Sequence, residues 1–263
     1  LSQRRLQGRL LAQVAVACQQ LGDSRRALEH CDRALEIAVA EGDQLTEAYA
    51  LVARGDARHA LGEPRLAIES AARGLELATQ LDAHAVMATA LIVLAWGHHV
   101  AGESDRAVEY AEQSLPVARA IGDRALESMG LLLLGYALQA IGQSERSLTH
   151  ATQCLWIART TGNRRAEGYA LLLMGTRDTI DEQIALAIEI ALEIGDRRLE
   201  GNAYLYLANA LGGRGAASES LEAAGRALEI GEETNDRALV SRSLIPLGVA
   251  SAALNDVARA ADT

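Results

Sequence analysis

The chain has 263 residues, of which 49% are hydrophobic, so it can bury a core and is not disordered. Aromatic residues make up 3%, with no Phe, and Pro is limited to 3, so the core must be built from Ala, Leu, Ile and Val, which suits closely packed helices and not a β-sandwich. A net charge of −10 speaks against nucleic acid or an anionic membrane as a direct partner, and the absence of any Lys removes P-loop, Schiff-base and Ser-Lys chemistry.

Taken in chain order, the predicted elements repeat. A glycine follows an apolar helix end at Gly22, Gly62, Gly102 and Gly142, always 40 residues apart. A second turn lies half a period away, at Gly42-Asp43, Leu81-Asp82, Gly122-Asp123, Gly162-Asn163, Gly195-Asp196 and Asn235-Asp236. These spacings are 40, 40, 40, 33 and 40, so one unit has lost seven residues, around Gly175 to Thr179. The units run 3–42, 43–82, 83–122, 123–162, 163–195 (shortened), 196–235 and 236–263 (truncated), together one array over 1–263.

Each unit reads as two helices. Leu131, Leu134 and Leu138 fall on one helical face. Asp43, Asp123, Asn163, Asp196 and Asp236 stand where a helix N-cap is wanted. Ser24, Pro64, Ser104 and Ser144 open the second helices. Small residues recur in the first helix at Ala15, Gly55, Ala95, Gly135, Gly175, Ala208 and Gly248, and in the second at Ala27, Ala67, Ala107, Ser147 and Ser220. Small side chains let helix axes approach closely. Cys154 occupies such a slot and is expected to be a buried small apolar residue. Pro116 and Pro246 fall inside helices and are expected to kink them.

The cysteines, Cys18, Cys31 and Cys154, are odd in number and form no C-x-x-C pair. A disulfide framework or zinc site is not expected, and a reducing cytoplasm is the default. The longest apolar run, about 85–97, is too short to cross a membrane, and no signal peptide is visible. The chain starts at Leu1 and stops inside a repeat, so it is read as part of a longer protein.

The pattern Leu134-Gly135, then Gly142, Ser147, Ala151 and Cys154, resembles the tetratricopeptide repeat, and the resemblance covers essentially the whole chain. The family's usual period of 34 is lengthened, its aromatic at the start of the first helix is Leu here, and its closing Pro is absent. Such long units are similar to those of kinesin light chain and of the sensor regions of large bacterial regulators. The resemblance implies an all-α, right-handed superhelical solenoid of antiparallel helix pairs, with first helices lining a concave groove. Counting from the small residue of each first helix, the groove side chains are then Asp56 and His59, Trp96 and His99, Tyr136 and Gln139, and Asn209. Six residues before that reference lie Tyr49, Thr89, Met129, Tyr169 and Asn202. Trp and Tyr dominate interface hot spots, so these positions form a candidate binding site; the competing expectation is that the rings pack between adjacent first helices. The outer helices carry Glu29, Glu69, Glu109 and Glu222, which read as a solvated face.

His98 and His99 are adjacent, but metal binding would need His59, His99 and a carboxylate such as Asp56 to converge, and no metal or cofactor is expected. No Ser/His/Asp or Cys/His arrangement has a supporting motif, so no enzyme is expected. The expected function is a non-catalytic module that binds a protein or peptide in the groove, as the sensor or scaffold part of a cytoplasmic regulator. The alternatives are a small-molecule sensor built on His59, Trp96, His99 and Tyr136, and self-association through the C-terminal repeat.

Overall fold

The computed structural model describes residues 2–175 and 180–261. Among them it is all-helical, with helices in consecutive antiparallel pairs: α1 (Gln3–Gln20), α2 (Ser24–Glu41), α3 (Gln44–Ala60), α4 (Pro64–Gln80), α5 (His84–Val100), α6 (Ser104–Ala120), α7 (Arg124–Ala140), α8 (Ser144–Thr161), α9 (Arg164–Met174), α10 (Ile180–Ile194), α11 (Arg197–Gly213), α12 (Ala217–Glu233) and α13 (Arg237–Ala261). Most are 17 or 18 residues long, while α9 has 11, in the unit expected to be short. Most of the segment assigned to the deletion, 176–179, lies outside the described residues.

The turns explain why the helices stop. Glycines such as Gly42 (φ 63°) and Gly62 (φ 75°) adopt left-handed backbone. Asp82 (φ 53°) and Asn235 (φ 54°) do the same without being glycine. The following N–H then reaches back to the last helical turn, as from Asp43 to the Ala38 carbonyl at 2.8 Å and from Gln143 to the Leu138 carbonyl at 2.8 Å. The next helix is capped at once. The Asp123 carboxylate accepts from the N–H groups of Ala125 and Leu126, and Asp196 accepts from those of Arg198 and Leu199. Asn163 accepts from Ala166 N–H at 3.1 Å. Helices α6 and α13 continue through Pro116 and Pro246.

The small residues mark where a pair crosses. In α8 the Ser147 hydroxyl donates to the Gly135 carbonyl of α7, and in α12 the Ser220 hydroxyl donates to the Ala208 carbonyl of α11, both at 2.8 Å. Cys31 and Cys154 are fully buried in slots of this kind.

The helices divide into two compact units, residues 1–166 and 167–263. In the first, α1, α3, α5 and α7 touch one another in succession, and successive second helices do not meet in this way among the described residues. The first helices therefore form the inner wall. Arg165, at the start of α9, donates to the Gln20 carbonyl at the end of α1 at 3.3 Å, so this unit curls strongly. The second unit has its own core, where Leu205 of α11 and Ile230 of α12 pack with Leu239 of α13. The stretch Arg237–Asn255 of α13 is long and apolar enough to cross a membrane by length and composition alone, a longer apolar stretch than 85–97.

Candidate ligand groove

The inner wall of the first unit brings four of the expected residues together. Trp96 of α5 lies with its ring centre 5.5 Å from that of His59 on α3 and 5.8 Å from that of Tyr136 on α7. His99, one turn further along α5, stands edge-on to Trp96 at 6.0 Å and 6.3 Å from Tyr136. One ring patch thus spans three successive first helices. Contacts of this kind contribute about 0.5–1.5 kcal/mol each beyond area burial. Tyr136 is buried, whereas His59, Trp96 and His99 are half-buried and present ring surface on the wall. Tyr136 is packed within this patch, and Trp96 lies between His59 and Tyr136, bridging the three helices.

Asp56 adjoins this row on α3, and its main-chain carbonyl accepts from Gln19 Nε2 of α1 at 3.3 Å. Tyr49, ten residues before His59 on α3, makes no ring contact with the patch among the described residues; partial burial and then the neighbouring Cys31 push its hydroxyl pKa up. Met129 and Gln139, on α7, are exposed and outside the ring patch. Tyr169, Asn202 and Asn209 belong to the second unit. There the Asn202 amide donates to the Arg198 carbonyl and accepts from Arg242, and the Asn209 amide donates to the Leu205 carbonyl.

The adjacent histidines part ways. His98 is buried, its Nδ1 is 2.8 Å from Glu103 Oε2, and its ring stacks on Tyr110 at 5.2 Å. It ties α5 to α6, while His99 faces the groove. Among the described residues no group of three or more His, Cys, Asp or Glu side chains could hold a metal ion.

The tetratricopeptide repeat family model matches residues 6–80, and the paired helices extend that pattern along the chain. Over residues 6–80 the chain carries the tetratricopeptide repeat, and along its described length the fold is of that type. A search of curated proteins finds no match. Among solved structures it is similar to a Rap protein complexed with competence and sporulation factor, at 13% identity and a TM-score of 0.67, covering 92% of this chain and 74% of that one. It is similar to aspartyl phosphate phosphatase F of Bacillus subtilis, at 13% identity and TM-score 0.62, over 94% of this chain and 72% of that one. It also resembles a signal transduction ATPase with numerous domains from Pyrococcus horikoshii that has a tetratricopeptide repeat sensor, at 17% identity and TM-score 0.59, over 91% of this chain and 38% of that one. These likenesses are likenesses of fold.

Proposed function

We propose that this chain is a non-catalytic protein- or peptide-binding module, the sensor or scaffold segment of a larger cytoplasmic regulator, and that its partner lies along the inner wall of the first unit. The observation that carries this reading is the patch of His59, Trp96, His99 and Tyr136, donated by three consecutive first helices. A patch assembled from several repeats favours an extended ligand over a compact one. Two relatives in fold support it: a Rap protein with competence and sporulation factor, and a Rap conjugation regulator of plasmid pLS20 in complex with the Phr* peptide. The sensor role is supported by the Pyrococcus horikoshii relative. One relative is named as a phosphatase; the patch proposed here for the partner is built of four rings, the chemistry of recognition.

The test is selection of peptides from a displayed library on the folded protein, followed by titration of a selected peptide. In a Trp156→Phe background Trp96 is the sole tryptophan, and peptide binding shifts its emission. Trp96→Ala weakens binding by about 2 kcal/mol, roughly 30-fold, at unchanged helicity. Peptide affinity unchanged from the unsubstituted chain in both Trp96→Ala and His59→Ala, with both folded, removes the groove assignment.

A second reading, self-association through the C-terminal repeat, is favoured by α13. Leu244, Ile245 and Val249 are 52%, 68% and 63% exposed, whereas Leu91 and Ile92, at the places of the first two in α5, are 4% and 1% exposed.

A further inference from the structure

Two rows of Glu run along the second helices, and α8 has neither. Glu36, Glu76, Glu189 and Glu229 hold one place, which is taken by Pro116 in α6 and by Trp156 in α8. Glu29, Glu69, Glu109 and Glu222 hold the other, where α8 has Thr149. Helix α8 is left with one carboxylate, Glu145, against Arg146 and Arg159, whereas α12 carries five carboxylates against Arg226.

Trp156 is 61% exposed. A single exposed apolar side chain is ordinary on a protein surface, but this one is held in a built arrangement. The Arg124 guanidinium, at the start of α7, lies 5.5 Å from its ring centre. Arg124 also donates to the buried carboxylate of Glu127, whose other oxygen accepts from Arg119 Nε of α6 at 2.8 Å. Two guanidiniums thus share one carboxylate, and both side chains stay exposed. The sister arrangement in α11 and α12 has the opposite balance. There Arg197 donates to two carboxylates, Glu200 and Glu233, and Glu229 stands at the place of Trp156.

Pro116 and Arg119 of α6 occupy the same two places as Trp156 and Arg159 of α8, one unit apart, and all four are exposed. The outer face here offers two rigid apolar surfaces with a guanidinium beside each. The carboxylates nearest to it are engaged within the fold: Asp123 caps α7, and Glu112 pairs with Arg146. Glu109 and Glu145 lie about two and three turns away along their helices.

We propose that the outer face of α6 and α8 around Trp156 is a docking surface for an acidic segment of a partner protein that carries aliphatic side chains. Its carboxylates pair with Arg119, Arg124 and Arg159, and an aliphatic side chain lies on Trp156 with Pro116 beside it. Charge complementarity selects this occupant, because a basic segment would meet three guanidiniums. The ring patch of His59, Trp96, His99 and Tyr136 is built on first helices, so the proposal does not depend on a peptide binding there.

In a Trp96→Phe background Trp156 is the sole tryptophan. A displayed peptide library is selected on this chain after depletion on the same chain carrying Trp156→Glu, and an enriched peptide is titrated by Trp156 emission and by calorimetry. Enriched peptides are expected to be net negative and aliphatic, to shift the emission to shorter wavelength, and to bind less tightly as salt rises. Trp156→Glu, which installs the residue of the sister helices, and Arg119→Gln are each expected to weaken binding at least about tenfold at unchanged melting temperature. No enrichment after depletion, enriched peptides that are neutral or basic, or unchanged affinity in Trp156→Glu overturns the proposal. A lower melting temperature in Trp156→Glu also overturns it, by making the ring a structural clamp for Arg124. So does an emission shift on concentrating the chain alone, which gives the surface to a second copy, and so does an equal shift with a single-stranded oligonucleotide.

Discussion

At the residue scale, similar small residues carry different loads. A Cβ on Gly74 of α4 would stand 2.7 Å from Val52 Cγ2 and 3.1 Å from the Ala48 carbonyl oxygen. On Gly225, inside α12, it would meet nothing within 4 Å. The sister positions of Gly74 hold Ser114, Cys154 and Ala227, so the sequence pattern alone rates alanine as acceptable there. The geometry does not, because a β-branched side chain and a backbone oxygen have little room to yield. Gly74→Ala is expected to destabilise by about 1–3 kcal/mol, and Gly225→Ala to stabilise by up to about 1 kcal/mol. Thermal unfolding followed by circular dichroism compares them directly. The thiols separate in the same way. Burial pushes Cys31 and Cys154 up to about 12, with the Asp32 charge adding to the rise at Cys31. Cys18 is only half-buried. A thiol reagent at mildly alkaline pH is expected to modify Cys18 in the folded chain and all three cysteines after unfolding. Native-state reaction of Cys154 would contradict its placement in the α8 slot.

At the scale of the element, the caps show how much the sequence reveals. Asp43, Asp123, Asn163, Asp196 and Asp236 were legible as helix starts because a short acceptor side chain before an apolar periodic run has a local physical role, and each accepts the expected N–H bonds. At Ala83, the equivalent place before α5, no side chain caps the helix. Ala83→Asp is expected to stabilise by about 1 kcal/mol, read as a higher melting temperature. The candidate site was less legible. Period and small-residue phase place Trp96 and Tyr136 on the inner wall, but a position on a face does not fix how far a ring is covered by the next helix. That depends on Trp96 lying between His59 and Tyr136, a contact between units. The fate of His98 depends on Glu103 and Tyr110 of the following helix in the same way.

For the whole molecule, a repeat array is a sum of unit stabilities and neighbour contacts, so a first helix with an uncovered flank exposes what inner units bury. Gly55 of α3 is approached by Ala67 and Ala71 of α4 and by Val93 of α5, whereas a Cβ on Gly248 of α13 would meet nothing within 4 Å. The exposed row Leu244, Ile245 and Val249 surrounds that glycine. The sequence from Ser243 to Asn255 carries no charge, so a chain of net charge −10 brings no local repulsion to this face. A covering helix must run antiparallel and present a small residue at the crossing, as α8 does with Ser147 against Gly135. In this chain, a second α13 related by a two-fold axis near Gly248 meets both demands and closes on itself, as the following helix of a longer chain would also do. The other exposed flank, Leu6, Leu10 and Val14 of α1, could join to α13 only head to tail, which gives chains of increasing length. Light scattering at rising concentration is therefore expected to show a mass that levels off at two copies, returns to one in Ile245→Glu with Val249→Gln, and is unaffected by Leu10→Glu. A single-copy mass at every concentration removes self-association, and mass that grows without limit and falls in Leu10→Glu replaces the two-fold pairing with the head-to-tail one.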